Sequence, residues 1–298
     1  MVAVLKQHPW RSLLVLFWLV IVMMQPAPLN MLADYAAFSV LGVTGAVFAN
    51  ATGAGGGVVF VPFFHHLGLT PMQIVATSFA IQCCGMSAGA LTWWHYYRKH
   101  HGQDEQWQPL TASLLLTVPC SIGAILLAQW GQHLAALAAF GENAAQLHIG
   151  FGLFSIMLAL AILGSVPLLK RSRFELKLSK GDCLALPLIA FIGGLVTAWL
   201  SVGVGELVAV YLIIRRFNIT MSIAVAVMLS ALTVWAAVGF HIVQSQAIIW
   251  PIVLFAGAGA VIGGIVAKRV VLAFNASHLK IFFGVWVLLM GLAGLPVF

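Results

Sequence analysis

A glycine-rich run, Gly53-Ala54-Gly55-Gly56-Gly57, interrupts hydrocarbon-like sequence, and a second, Gly203-Val204-Gly205-Glu206, does so about 150 positions later. A bilayer-spanning helix needs roughly 20 apolar residues. The stretches that follow the two runs, Val58 to Leu67 and Leu207 to Ile214, are about half that length. They read as half-helices. Irregular backbone survives at membrane depth only where protein or a water-filled cavity satisfies its polar groups. Two such breaks at corresponding positions of two halves therefore predict one shared cavity with a binding site in it.

Composition supplies the solvent. With 62% hydrophobic and 7% charged residues and a mean hydropathy of +1.06, the chain cannot carry the ~25–35% charged surface of a soluble domain. It reads as an all-α polytopic membrane protein with lipid as its surroundings. The net charge of +7 would raise the question of nucleic acid in a soluble domain. Here the lysines and arginines fall in short clusters between apolar segments, so they are topology signals and no nucleic-acid partner is expected. Cys83, Cys84, Cys120 and Cys183 form no CxxC pair and have no histidine at metal-ligand spacing. They read as small reduced core residues, and neither metal nor cofactor is expected.

Eleven apolar segments follow along the chain: Ser12 to Met24, Tyr35 to Asn50, Val58 to Leu67, Gln73 to Tyr97, Pro109 to Trp130, Gln146 to Leu169, Leu184 to Leu200, Leu207 to Ile214, Met221 to Gln244, Ile248 to Ala267 and Leu279 to Val297. The first, behind Lys6 and Arg11, has the charge arrangement of a signal peptide but is read as an extra N-terminal helix. If the N-terminus is inside and every connection reverses direction, all 14 basic residues fall on the inside, as the excess of Lys and Arg on the cytoplasmic side requires. The C-terminus is then outside.

Two halves of five segments, each ordered medium, short, long, long, long, must have opposite orientation. The expected organisation is an N-terminal helix (1–33), a first repeat (34–169), a basic cytoplasmic loop (170–183) and an inverted second repeat (184–298). The first two segments of each half form a hairpin, either re-entrant or a broken helix, with its glycine tip near the midplane. At an offset of 150, Gly53 falls on Gly203 and Gly55 on Gly205.

Glycine at a tip permits positive φ or close approach of backbone to a ligand. Unpaired amides at the starts of the half-helices favour an anion over a cation. Gly257, Gly259, Gly263 and Gly264 instead read as helix-packing positions. Polar residues that would complete the site are Asn50 and Thr52 at the first tip, Ser201 at the second, and Thr77, Ser78 and Gln82 on the following helix. Glu206 is costly so deep in a membrane, on the order of 2.5–3.5 kcal/mol. It reads either as a proton-coupling group or as a cap on the helix it starts; if permanently ionised it would compete with an anionic substrate. Asp34 and Asp182 are expected to cap the first helix of each half, and Trp93, Trp94, Tyr96 and Tyr97 to form an aromatic belt at the interface.

The stretch GAGGGVVFVPFFHHLGLTPMQIVATS, with Gly53 to Gly57, Pro62, Ala76 and Thr77-Ser78, resembles the first signature of the TauE/SafE family of membrane transporters. Gly193 to Gly239 is similar to that family's second signature. The resemblance implies export of sulfite or an organosulfonate such as sulfoacetate across a bacterial inner membrane, with the substrate at Gly53, Gly55, Gly56, Gly57, Gly203 and Gly205 and the polar residues named above. It departs at Glu206, where glycine would continue the run, and at Ala226-Val227-Met228, which lacks the Thr-Ser pair. Proton-coupled uptake of a sulfur-containing anion is the alternative. An intramembrane enzyme would need an HExxH, paired carboxylates or a serine with a base, and the sequence offers none of them.

Overall fold

The computed structural model describes residues 9–131, 144–164, 166, 175–273, 275–293 and 295. Lys6 and the basic run Lys170-Arg171-Ser172-Arg173 lie outside the described residues. The helices are α1 (Pro9–Met23), α2 (Pro28–Tyr35), α3 (Ala37–Thr52), α4 (Gly57–His66), α5 (Pro71–Tyr96), α6 (Pro109–Trp130), α7 (Ala144–Gly164), α8 (Lys180–Leu200), α9 (Val204–Ile214), α10 (Ile219–Phe240), α11 (Trp250–Ala273) and α12 (Ala276–Ala293). Eleven of them coincide with the apolar segments of the sequence. The other, α2, is short and carries Asn30 and Asp34, so its hydropathy conceals it; Pro28 at its first position sets its start.

Among the described residues, five helices are long and apolar enough to cross a membrane, or six if α1 and α2, bent by 116° at their break, count as one span. At 1.5 Å per residue, α4 and α9 are about 15 and 16 Å long, half of a ~30 Å hydrocarbon core. They are half-helices in length.

Capping sets the boundaries. Thr70 accepts from the Gln73 amide while the Gln73 side chain accepts from the Thr70 amide, a reciprocal box that starts α5. Ser179 and Asp182 do the same for α8. Asp182 also accepts from the Tyr211 hydroxyl (2.6 Å) and from Arg215 Nε (2.7 Å), which ties the start of α8 to the end of α9. The expectation for Asp34 fails. It lies in α2, and α3 begins behind Ala36 with no side-chain cap, because the chain runs almost continuously from one helix to the next.

Helix α11 packs on α3 and α5, α8 on α6, α10 on α5 and α6, and α7 on α12. The α11 contacts depend on small residues. A Cβ at Gly259 would meet the Ser39 carbonyl, one at Gly263 the Val43 carbonyl and one at Gly264 the Gly85 carbonyl, so these glycines are packing positions as expected. Trp93 departs from the aromatic belt. It is wholly buried and its Nε1 donates to the Asn50 carbonyl at 3.4 Å, since it sits on the α5 face turned to α3. Trp94 remains partly exposed.

Candidate functional site

Each short helix is entered through a left-handed residue. Helix α3 ends at Gly53 (φ 79°, ψ 0°) and α8 at Ser201 (φ 57°, ψ 20°), a conformation that costs a non-glycine residue about 1 kcal/mol or more. Gly203 follows at φ 143°. The capping positions Gly53 and Ser201, Leu67 and Arg215, and Thr70 and Asn218 are each 148 residues apart. Three pairs of capping positions thus share an offset of 148, whereas the glycines Gly53 and Gly203 match at 150. At the offset of 148, Gly55 corresponds to Gly203, Gly57 to Gly205, and Gln82 to Ser230.

The two tips are in contact. A Cβ on Gly57 would strike the Ser201 carbonyl oxygen, and one on Gly205 the Gly53 carbonyl oxygen and the Ser230 hydroxyl. Glycine is required here for close backbone approach as well as for φ.

Two side chains join the tips. Glu206, 3% exposed, places Oε1 2.7 Å from the Gly55 amide and Oε2 2.8 Å from the Gly203 amide, and both amides donate to it. Its bond to Gly203 is half of a capping box; the other half is missing because glycine has no side chain. Its bond to Gly55 crosses 151 residues to the other tip. The carboxylate thus lies between two amides that correspond in the 148-residue register, near the starts of two half-helices whose dipoles favour an anion.

Gln82 is the second link. Its Oε1 accepts from the Gly56 amide (2.9 Å), and its Nε2 donates to Ser78 Oγ (3.1 Å), Ser201 Oγ (2.8 Å) and the Ser201 carbonyl (3.1 Å). Ser201 Oγ donates in turn to Ser78 Oγ at 3.0 Å. This network is fully buried, where satisfied polar groups specify one arrangement and unsatisfied ones are costly.

Of the residues expected at the site, Gly53, Gly55, Gly56, Gly57, Ser78, Gln82, Ser201, Gly203, Gly205 and Glu206 come together. The rest are engaged elsewhere. Thr52 donates to the Phe48 carbonyl (2.8 Å) and accepts from the Ala54 amide (3.0 Å), bracing the tip from within. Asn50 donates to the carbonyls of Ala46 and Gly85, joining α3 to α5. Thr77 accepts from the Ile249 amide at 3.1 Å and so anchors the connection into α11.

Two residues were not singled out for the site. Thr197 Oγ1 accepts from the Val204 amide (2.9 Å), supporting the second tip from α8. Ser230, 2% exposed, leaves its hydroxyl without a partner beside Gly205. Its sequence signal exists only in the 148-residue register, which aligns it with Gln82. Nothing in the motif around it distinguishes it from other membrane serines.

A family model for the sulfite exporter TauE/SafE matches residues 37–294. The chain belongs to the TauE/SafE family. No curated protein and no solved structure matches it. The matched region begins at the first residue of α3 and takes in both tips, so the paired hairpins lie wholly within the TauE/SafE part of the chain. TauE/SafE proteins are membrane transporters, and this chain is accordingly an integral membrane protein of a transporter family.

Proposed function

We propose that the protein exports a small sulfur-containing anion, sulfite or an organosulfonate such as sulfoacetate, by alternating access around the two glycine tips. The observation that carries this reading is the Glu206 carboxylate held between the Gly55 and Gly203 amides. The tips already accommodate the two oxygens of a carboxylate, and a sulfonate or sulfite offers a similar pair.

Reciprocal packing supports an inverted repeat. In the 148-residue register α3 corresponds to α8, α5 to α10, α6 to α11 and α7 to α12. Contacts then come in matched pairs: α3 on α11 with α8 on α6, α5 on α11 with α10 on α6, and α4 on α5 with α9 on α10. Helix pairs α5–α10 and α7–α12 are their own mates. Such an arrangement lets one half rock against the other around a fixed central site. In the bacterial inner membrane that the family implies, the basic clusters support an orientation with the N-terminus cytoplasmic and the C-terminus periplasmic. Export of a monovalent anion is then downhill by about 2.3 kcal/mol per 100 mV of inside-negative potential.

Glu206 also supports a second reading, proton-coupled uptake, because a carboxylate at the tips offers a protonation site for driving an anion against that potential. Proteoliposomes of defined orientation, given a panel of labelled sulfite, sulfoacetate, a larger sulfonate and chloride, test both. Efflux driven by potential alone supports export, whereas accumulation that requires a pH gradient supports uptake. Failure to move any sulfur-containing anion in either direction removes both.

A further inference from the structure

We propose that Glu206 is a tethered occupant of the anion site, and that the transported anion binds by displacing its carboxylate from the Gly55 and Gly203 amides. This rests on the tips being the anion site. Each carboxylate oxygen takes one of two amides that correspond in the 148-residue register, so the side chain holds the central position that a substrate shared by two opposed hairpins would occupy. No lysine, arginine or histidine among the described residues pairs with it. Its charge is met by backbone amides and the starts of α4 and α9. The same donors would serve a free oxyanion.

Substrate and carboxylate cannot share these donors. Two negative charges within a few ångströms of each other repel strongly in a medium of low dielectric, and each amide has one proton to give. Occupancy is exclusive. A carboxylate has two oxygens, whereas a sulfonate or sulfite has three. Ser230 supplies a candidate for the difference: its buried hydroxyl beside Gly205 has no partner while Glu206 is seated. A plain helix cap would explain the Gly203 bond, but it would not require the second oxygen to reach the other hairpin.

The two roles predict opposite signs. A residue that merely holds the site together should, when removed, weaken anion binding; a competitor should strengthen it. The test is thermal unfolding of the purified full chain titrated with sulfite and with acetate, chloride being the control at matched ionic strength, for wild type, Glu206→Ala and Glu206→Gln. Ligands that bind the folded state stabilise it by RT ln(1 + c/Kd) at free ligand concentration c, so the rise in unfolding temperature with ligand concentration reports the affinity.

The expected result is that Glu206→Ala starts from a lower unfolding temperature and is rescued by acetate and sulfite, binding sulfite about tenfold or more tightly than wild type, within the usual range for coupled sites. Should Glu206→Ala not be recovered folded, Glu206→Gln gives the same comparison. It keeps the side-chain volume but turns an NH2 group toward one of the two amides. Sulfite binding that is weaker than or equal to wild type in the folded variants overturns the inference and leaves the anion site standing. An absence of anion binding by all three proteins overturns both.

Discussion

Gln82 and Ser201, 119 residues apart, are joined by two hydrogen bonds from one nitrogen: Gln82 Nε2 donates to the Ser201 hydroxyl at 2.8 Å and to its carbonyl at 3.1 Å. The same amide group accepts from Gly56. One glutamine on α5 therefore fixes the first tip to the second. Ser201 in its left-handed conformation is thus held from outside its own helix as well as by the bond from its amide to the Thr197 carbonyl at 2.8 Å.

Gln82→Leu keeps most of the volume and removes every one of these bonds. It leaves the Gly56 amide without a buried acceptor, which costs about 1–3 kcal/mol. The expected outcome is a lowered unfolding temperature together with loss of anion transport. Gln82→Leu with wild-type transport in proteoliposomes would detach Gln82 from the site.

The glycines make a sharper structural prediction than their motif suggests. Substitutions at Gly57 and Gly205 place a Cβ against backbone oxygen, which has no rotamer to yield. Gly57→Ala and Gly205→Ala are expected to lose several-fold in folded, monodisperse yield on size-exclusion chromatography. Gly239 lies in α10 with nothing within 4 Å of its notional Cβ. Gly239→Ala is expected to be neutral or to stabilise by about 0.5–1 kcal/mol. Bulky substitutions at the tips therefore report on folding before they report on transport.

What the sequence made legible follows from how far each signal reaches. Helix positions were readable because apolar run length is a local property, and α2 was missed because Asn30 and Asp34 hide an eight-residue helix. The tips were readable from glycine alone. Their register was not, because matching Gly53 to Gly203 ignores that Ser201 takes the left-handed position at the second tip. Thr77 carries the family motif yet caps the entry to α11, a contact spanning 172 residues that no local pattern announces. Glu206 was ambiguous between cap and functional carboxylate for the same reason: one of its two bonds is local and the other crosses the molecule.

At the other end of the second hairpin, Asp182 gathers Arg215, Tyr211 and Ser179. Arg215 is 41% exposed while Asp182 is 1% exposed, so screening weakens the ionic part and the hydrogen bonds to the buried carboxylate dominate. Asp182→Asn retains some of them and is expected to cost about 1–3 kcal/mol. Arg215→Met should cost less, since Tyr211 and Ser179 remain. A larger loss for Arg215→Met than for Asp182→Asn, measured by chemical or thermal unfolding, would reverse that ranking.

Orientation is tested at exposed connections. In a background lacking Cys83, Cys84, Cys120 and Cys183, single cysteines at Gln103 and Arg216 are expected to react with a membrane-impermeant maleimide only from the cytoplasmic face, and one at Gln246 only from the periplasmic face. All three positions are exposed, whereas neighbouring Phe217 is buried and would report poorly from either side. The assignment has a physical basis in the basic residues: Arg98 and Lys99 precede Gln103, Arg215 precedes Arg216, and the connection from Ser245 to Ile249 has no basic residue. Gln103 and Arg216 lie in corresponding regions of neither half. Gln103 follows α5 and Arg216 follows α9, so their labelling from one face requires an even number of crossings by α6, α7 and the α8–α9 hairpin between them. That parity holds when α6 and α7 each cross once and the α8–α9 hairpin, as a re-entrant loop or as two spans, returns to the side it entered from. Reaction of Gln103 and Gln246 from the same face would exclude the opposed orientation of α5 and α10, and with it alternating access between inverted repeats.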